Sequence, residues 1–295
     1  MSERPDWLRV KAPTPEQAEG MRHVRSVLGR YRLNTVCQGA ICPNAVSCWG
    51  DRTATFMILG ETCTRGCRFC GVPTGDPGGV LDETEGERLA AAVNELGLRY
   101  VVITSVDRDD LLFGGAPTYA DAIRRVRGAV EGICVEALIP DFNGDPRALN
   151  MILASGPDVI AHNIETVGSL TPLLRDRRAS YEQSLKVLRF LRGLADRELL
   201  QIKSGLMVGL GETRRELLET FDDLADAGVG GLTIGQYLKP AYGKASVKRM
   251  VPPEEFDELA QAAREAGIRH VIAGPLVRSS YRAAELFEGS RATRR

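Results

Sequence analysis

The chain has 295 residues, of which 43% are hydrophobic, and a formal net charge of −1. This length allows one large α/β domain, or two small ones, with a well-buried core. The near-neutral charge gives no general attraction to nucleic acid or anionic lipid, so we expect neither as a partner. No apolar run approaches the ~20 residues of a membrane-spanning helix. The charged N-terminus also has no apolar segment of the secretory type, and we expect a cytoplasmic protein.

The first fifty residues differ from the rest of the chain. They contain a proline-rich start, a basic segment with helical spacing near 16–30, and a stretch with three cysteines. They match no alternating strand–helix pattern. We therefore interpret 1–52 as an N-terminal extension rather than as a separate domain.

From residue 53 onward, short apolar runs alternate with longer helical patterns. Strands are predicted at 53–60, 100–106, 133–139, 159–165, 202–209 and 231–238, and 270–277 is a further short candidate. Helices are predicted at 82–97, 118–130, 146–155, 180–194, 213–227 and 253–266. Apolar strands separated by helices are typical of a parallel sheet covered by helices. We predict an α/β fold, a partial (β/α)6 barrel of TIM type over 53–266, with a doubly wound sheet as the alternative.

Six of the seven cysteines lie between Cys37 and Cys70. In a cytosolic chain this favours metal or redox chemistry over disulfides. The seventh, Cys134, lies in an apolar run and is interpreted as a buried strand residue.

One cysteine triplet, Cys63, Cys67 and Cys70, directly follows the first predicted strand in "CTRGCRFC". Active-site loops of such barrels leave the carboxyl ends of strands, so the triplet is expected at the barrel mouth. Structural zinc sites usually pair two C-x2-C knuckles around one ion. Three thiolates with unequal gaps and no near fourth cysteine favour a cubane iron–sulfur cluster with one iron left open. A structural zinc loop is the alternative.

The other triplet, Cys37, Cys42 and Cys48, has C-x4-C-x5-C spacing. This is neither a zinc knuckle nor a ferredoxin motif. Incidental thiols, or a zinc site with a remote ligand, are the alternatives. Beside the first triplet, a second cluster is the favoured interpretation.

The C-x3-C-x2-C motif resembles that of radical S-adenosylmethionine (SAM) enzymes, and the two triplets together resemble the lipoyl synthase family. "LNTVCQGAICPNAVSCW" (33–49) is similar to the auxiliary-cluster motif of that family. Further matching segments are "WLRVKAP" (7–13), "TSVDRDDL" (104–111), "SGLMVGLGE" (204–212) and "GPLVRSSY" (274–281). The resemblance extends over almost the whole chain.

The resemblance implies a sulfurtransferase with SAM and two 4Fe-4S clusters. Cys63, Cys67 and Cys70 would bind the radical-generating cluster, with Ser280 completing the ligands of Cys37, Cys42 and Cys48 on the auxiliary cluster. The reaction would add sulfur at carbons C6 and C8 of a protein-bound N6-octanoyl-lysine, giving the lipoyl cofactor, with the auxiliary cluster as the sacrificial donor. Ser279 is the less favoured ligand, and without the resemblance "RSSY" is a turn or helix cap.

The implied partners are octanoylated lipoyl carrier domains, namely the E2 subunits of 2-oxoacid dehydrogenases and the glycine cleavage H protein. An electron donor such as ferredoxin or flavodoxin, and an iron–sulfur carrier for cluster repair, are also implied. Residues 267–295 form a C-terminal extension with the "RSSY" motif and a basic tail. Both extensions are expected to cover the barrel mouth.

Other site residues are weaker predictions. For SAM binding they are Phe69, Asn163, Glu165, Gly209 and Gly211. Loop packing is the alternative for Phe69, and a structural salt bridge is the alternative for Glu165. For Asp107, Asp109 and Asp110 we favour solvated acids at a helix start. Lys203 is interpreted as a solvated strand-end lysine, with contact to a carboxylate as the alternative. No metal is assigned to His23, His162 or His270, because they are scattered along the chain.

Three stretches depart from the family pattern: 38–41, 113–120 and 241–246, where Lys244 stands near the usual place of a histidine. None contains a predicted cluster ligand. We expect them to affect carrier docking more than chemistry.

Overall fold

The structure is a computed structural model that describes residues 5–10, 12–39, 42, 44–50, 54–194 and 200–285. The strands are β1 Asn34–Thr35, β2 Thr55–Ile58, β3 Tyr100–Ser105, β4 Cys134–Leu138, β5 Val159–Ala161, β6 Gln201–Val208, β7 Gly231–Gln236 and β8 His270–Gly274. The helices are α1 Pro15–Tyr31, α2 Val36–Gly39, α3 Ala45–Gly50, α4 Glu85–Glu95, α5 Ala116–Ala129, α6 Pro146–Ala154, α7 Thr171–Leu174, α8 Tyr181–Leu194, α9 Arg214–Asp226 and α10 Pro253–Glu265. The predicted basic tail and positions 40 and 41 lie outside the described residues. Within them, no helix is long and apolar enough to cross a bilayer.

All eight strands belong to one sheet, in the order in which they occur along the chain. β1 is antiparallel to β2, and β2 to β8 are parallel. Since βαβ crossovers are almost always right-handed, an unreversed strand order places the helices on one side of the sheet. A doubly wound sheet requires a reversal and is excluded. The predicted partial barrel is confirmed, with seven parallel strands because 270–274 also forms one.

The two faces of the strands have different neighbours. Val101 and Ile103 of β3 belong to the main core, together with Leu89 of α4 and Ile123 of α5. Alternate residues of a strand point to opposite faces, so Val102 and its alternates face the barrel interior. There Val102 packs in a cluster that includes Ala283. The C-terminal segment therefore enters the barrel.

Helix α9 illustrates how local sequence sets the outer layer. Thr213 and Glu216 form a capping box that satisfies free N–H groups at the helix start. Leu217, Phe221 and Leu224 recur at helical spacing and are buried. One stripe of this helix therefore packs on the sheet while its other side stays charged.

The N-terminal extension connects the two ends of the sheet. β1 pairs with β2 through the partners Asn34 and Met57. Farther along, the Asn44 side-chain amide donates to the carbonyl of Leu276, just past β8, at 2.6 Å. The extension therefore lies along the seam between β2 and β8, and its cover of the barrel mouth stays a prediction.

Candidate active site

The loop after β2 carries the C-x3-C-x2-C triplet at the carboxyl end of the first parallel strand. Its three thiols are free and half-buried. Backbone N–H groups donate to two of the sulfurs at 3.4 Å, Arg65 to Cys63 and Asp176 to Cys67, and Val72 provides a backbone hydrogen bond to Cys70. Donors of this kind stabilise negative charge on sulfur and tune iron–sulfur clusters.

Burial dominates the protonation of these thiols. It raises the pKa of Cys63 and of Cys67 to about 11, and the carboxylate of Asp107 adds to the effect at Cys63. The pKa of Cys70 is also raised by burial. Since only thiolates bind metal, ligation here must be accompanied by loss of protons.

The donor set fits a cubane cluster. In the described ranges, no group of three or more His, Cys, Asp or Glu side chains is arranged to hold a single metal ion. A cubane attaches each thiolate to a different iron, so its sulfurs need not converge on one point. Three half-buried thiols on one loop, each with a backbone hydrogen bond, meet that requirement.

A buried arginine anchors the cysteine loop. The Arg65 side chain is 2% exposed and donates to both oxygens of Asp109, at 3.0 and 2.9 Å, and to Asp141 at 2.8 Å. Asp107 lies 3.3 Å from Arg65 and 4.0 Å from the sulfur of Cys63. Burial raises the pKa of Asp107 to about 6, although Arg65 acts to lower it.

The prediction that these acids are solvated is wrong for Asp107 and Asp109. A buried guanidinium needs charged partners, and the loops after β3 and β4 supply them. Asp110 is also engaged, in an ion pair with Arg108 at 2.8 Å.

Residues after β5 form a polar wall close to the cysteine loop. Asn163 and Glu165 are half-buried, and the Asn163 amide donates to the Glu165 carboxylate at 3.2 Å. Burial raises the pKa of Glu165, and the nearby Arg175 acts to lower it. Arg175 also lowers the pKa of Cys67, whose raised value comes from burial, so this arginine lies between the wall and the loop.

Two buried atoms have no hydrogen-bond partner among the described residues: Oδ1 of Asn163, in this wall, and Nε of the adjacent Arg175. Unsatisfied buried polar atoms are uncommon in proteins and call for an explanation such as a missing ligand. They therefore fit a polar cofactor beside the cluster. The sequence prediction missed Arg175, although its position in a loop after a barrel strand was an available signal. The role of Asn163 and Glu165 in SAM binding stays a prediction.

The remaining predicted SAM contacts also have internal packing roles. Phe69 packs against a small cluster that includes Leu174 and Tyr237. Gly209 has φ +94°, and an added Cβ would lie 2.2 Å from Gln236 Nε2. Gly211 has φ +116° and more space around it. Their contact with SAM stays a prediction.

The C-x4-C-x5-C triplet lies in the N-terminal extension, along the seam between β2 and β8. The Cys42 N–H donates to the carbonyl of Cys37 at 3.0 Å, and the Cys48 N–H donates to Asn44 at 2.8 Å. Burial raises the pKa of Cys42, and Cys37 adds to this. Arg278 acts on the same thiol in the opposite direction, so the "RSSY" segment is its neighbour.

The "RSSY" segment follows β8 as a turn closed by the Tyr281 N–H, which donates to Arg278 at 2.9 Å. Arg278 also donates to the carbonyl of Gln236 at 3.3 Å. Ser279 and Ser280 are half-buried within this turn. The structure thus brings the segment to the second triplet, and ligation by Ser280 stays a prediction.

The prediction that Lys203 is solvated is wrong. It lies inside β6 with its side chain 1% exposed and its ammonium 2.8 Å from Glu136. The hydroxyl of Tyr100 donates to the same carboxylate. Cys134 begins β4 and, partly buried, packs against the interior cluster that contains Val102 and Ala283. His162 uses both ring nitrogens internally, facing Ile139 and Ser184, and burial lowers its pKa to about 4.

Comparison with known proteins identifies a matching family model and related sequences. A family model described as Radical SAM superfamily matches residues 57–224. The lipoyl synthase of Pyrobaculum arsenaticum is 54% identical, over 98% of this chain and 96% of its own. That of Thermus thermophilus is 49% identical, over 96% of this chain and 86% of its own.

Solved structures agree on the fold. The maturase HydG superposes with a TM-score of 0.61 at 12% identity, over 94% of this chain and 67% of its own. Methylornithine synthase superposes with a TM-score of 0.51 at 14% identity, over 87% of this chain and 85% of its own. Identities this low support the barrel alone. The full-length similarity to curated relatives supports more: this chain belongs to the lipoyl synthase family of radical SAM enzymes.

Proposed function

We propose that this enzyme inserts two sulfur atoms, at C6 and C8, into an octanoyl chain held on a carrier lysine, giving the lipoyl group. The observation that carries the proposal is the presence of two separate cysteine triplets in one chain. One lies at the carboxyl end of β2, and the other lies at the seam beside the "RSSY" turn.

The two triplets would have different tasks. When bound, a reduced cluster with SAM supplies a radical that removes hydrogen, and an auxiliary cluster supplies sulfur. Cys63, Cys67 and Cys70 would hold the first, with their backbone donors stabilising charge on sulfur. Cys37, Cys42 and Cys48 would hold the second.

The polar wall after β5 would bind SAM. Asn163 and Glu165 offer an amide and a carboxylate to the ribose, and Arg175 offers a guanidinium to the carboxylate of the methionine part. Because Asn163 Oδ1 and Arg175 Nε have no partner among the described residues, a polar ligand would satisfy both. Phe69, Gly209 and Gly211 would line the adenosine.

Ser280 would complete the ligands of the auxiliary cluster. A serine oxygen is harder than a thiolate and is an unusual iron ligand. Such a bond suits a cluster that has to release iron when its sulfide is transferred. The proximity of Arg278 to Cys42 supports this assignment.

The proposed substrates are octanoylated lipoyl domains of 2-oxoacid dehydrogenase E2 subunits and the glycine cleavage H protein. Ferredoxin or flavodoxin would supply electrons, and an iron–sulfur carrier would rebuild the auxiliary cluster. A cytoplasmic location is proposed because seven cysteines that form no disulfide suit a reducing compartment.

Separate removal of a ligand from each triplet tests the division of tasks. We expect Cys67→Ala to abolish SAM cleavage, whereas Cys42→Ala should leave cleavage and abolish sulfur insertion. The reconstituted enzyme would be incubated with SAM, dithionite and an octanoyl-lysine peptide, and mass spectrometry would detect two added sulfurs. Cys134→Ala, outside both triplets, should retain both activities. Equal loss of cleavage and insertion in Cys42→Ala would contradict the assignment.

A further inference from the structure

Positive charge is concentrated in three segments around Cys67. Residues 66–72 contain one arginine and no acid, 171–178 contain three arginines and one aspartate, and 237–249 contain three lysines, one arginine and no acid. The three segments hold eight basic residues against one acidic residue, whereas the whole chain has 38 against 39. Arg178 and Arg249 are paired with acids outside the segments, Asp109 and Glu255, and the segments keep an excess of positive charge after these pairs are counted. This asymmetry is local, and of the eight basic residues only Arg175 has a role in the proposed chemistry.

Backbone contacts join the three segments into one surface, which we call the basic rim. The Arg68 N–H donates to the carbonyl of Leu174 at 2.7 Å, and the Ala245 N–H donates to the carbonyl of Arg68 at 2.8 Å. The Lys244 ammonium lies 3.5 Å from the carbonyl of Cys67. The basic rim is therefore attached directly to the cysteine loop.

A small hydrophobic cluster, separate from the main core, holds the basic rim together. Leu174, Tyr237 and Ala245 are buried in it, and Phe69 packs against them. Each segment contributes to this cluster. The positions of the rim charges are therefore fixed by packing rather than left to independent loops.

Two apolar side chains project from the basic rim. Leu173 is 59% exposed and Tyr242 is fully exposed. The ammonium of Lys239 lies 5.8 Å from the centroid of the Tyr242 ring. Aromatic residues surrounded by a charged rim are typical of protein interfaces.

We propose that the basic rim docks a folded carrier domain that is acidic around its acylated lysine, with Tyr242 and Leu173 as apolar anchors. This rests on the proposed function, in which the alkyl chain is attached to a protein and must reach Cys67. A carrier delivering that chain has to contact the surface around the loop. Complementary charge would accelerate its association and orient its lysine toward the barrel.

Charge reversal on the basic rim tests the proposal. The variant Lys239→Glu/Arg177→Glu changes two exposed residues that are outside the proposed catalytic groups. In the reconstituted enzyme, supplied with an iron–sulfur carrier that rebuilds the auxiliary cluster between turnovers, we expect KM for an octanoylated carrier domain to rise about tenfold at low salt. The difference should shrink as salt is added. The kcat, and turnover of a short uncharged octanoyl-lysine peptide, should stay unchanged.

The matched control is Lys186→Glu/Arg189→Glu, an equal charge change on exposed positions of α8. It should leave KM for the carrier unchanged. An equal rise in the control, no rise in the rim variant, or an equal loss with the peptide would overturn the proposal. Tighter binding of the wild-type enzyme to DNA or to anionic vesicles than to the carrier would overturn it as well.

Failure of docking can be distinguished from failure of the proposed function. Direct binding of the carrier domain to the reconstituted enzyme, measured by calorimetry with both double variants, does not depend on sulfur insertion. If the wild-type enzyme does not convert the peptide, the proposed function fails. If it converts the peptide but the rim variant binds the carrier as the wild type does, only the docking proposal fails.

Discussion

The adjacent serines Ser279 and Ser280 can be distinguished by single substitutions. Both are half-buried in the turn after Arg278. We expect Ser280→Ala to lower product formation more than SAM cleavage, since it would remove the proposed oxygen ligand of the auxiliary cluster only. Ser279→Ala is the matched control and should retain both activities. The reverse result would transfer the ligand role to Ser279, and equal effects would leave neither serine as a specific ligand.

Buried thiols provide a second residue-scale prediction, which depends on pH. The pKa of Cys63 and of Cys67 is about 11 because burial disfavours the thiolate, against about 8.5 in an unfolded chain. The thiolate fraction grows as pH rises through the pKa. In the iron-free protein, alkylation of both residues should therefore be slow near pH 8 and increase toward pH 11.

Peptide mapping by mass spectrometry after timed alkylation measures these rates. The same peptides in denaturant serve as the control, and they should react rapidly near pH 9. Equal rates for folded and unfolded protein at pH 8 would show that burial does not suppress these thiolates.

At the scale of elements, β7 and the C-terminal segment fit closely only because position 235 is glycine. A Cβ there would lie 2.1 Å from the carbonyl oxygen of Val277. We expect Gly235→Ala to reduce the free energy of unfolding by about 1–3 kcal/mol, because the segment has to move. It should also displace the "RSSY" turn and lower iron retention at the neighbouring triplet.

Denaturant unfolding and iron analysis check this prediction. The control is Gly128→Ala, in α5, where nothing lies within 4 Å of the added Cβ. The free energy of unfolding of that variant should increase by about 0.5–1 kcal/mol, because alanine has a higher helix propensity than glycine. If Gly235→Ala were as stable as its control and kept its iron, the close contact would not restrain the segment.

At the scale of the whole molecule, the barrel and its extension carry two separate cysteine triplets, which are the proposed ligands of two clusters. We expect about eight irons per chain after anaerobic reconstitution, as two cubanes require. The variant in which Cys37, Cys42 and Cys48 are all alanine should retain about four irons and its SAM cleavage. Iron analysis with electron paramagnetic resonance of the reduced protein measures both. Loss of nearly all iron in this variant would mean that the two sites are not independent.

Much of this architecture follows from local patterns. Strand and helix positions follow from runs of apolar residues and from helical spacing, as with Leu217, Phe221 and Leu224 on α9. The C-x3-C-x2-C spacing favours one cluster by itself, because ligands on one short loop are brought together by the chain. The C-x4-C-x5-C spacing alone leaves other thiol sites open, and the second cluster is favoured by the neighbouring triplet and by the family resemblance. The last short strand was uncertain, since its run of five residues at 270–274 carries little periodic signal.

The sequence by itself determined the order of strands and helices, the two triplets and the family, because each depends on residues close together in the chain. Only the tertiary structure decided that Arg65 gathers Asp107, Asp109 and Asp141, that Lys203 is buried against Glu136, and that the extension joins β2 to β8. The side-chain contacts among these join residues more than forty positions apart in the chain. Spacing along a chain carries no information about such pairs until folding brings the loops together, and burial then requires each charge to find its partner.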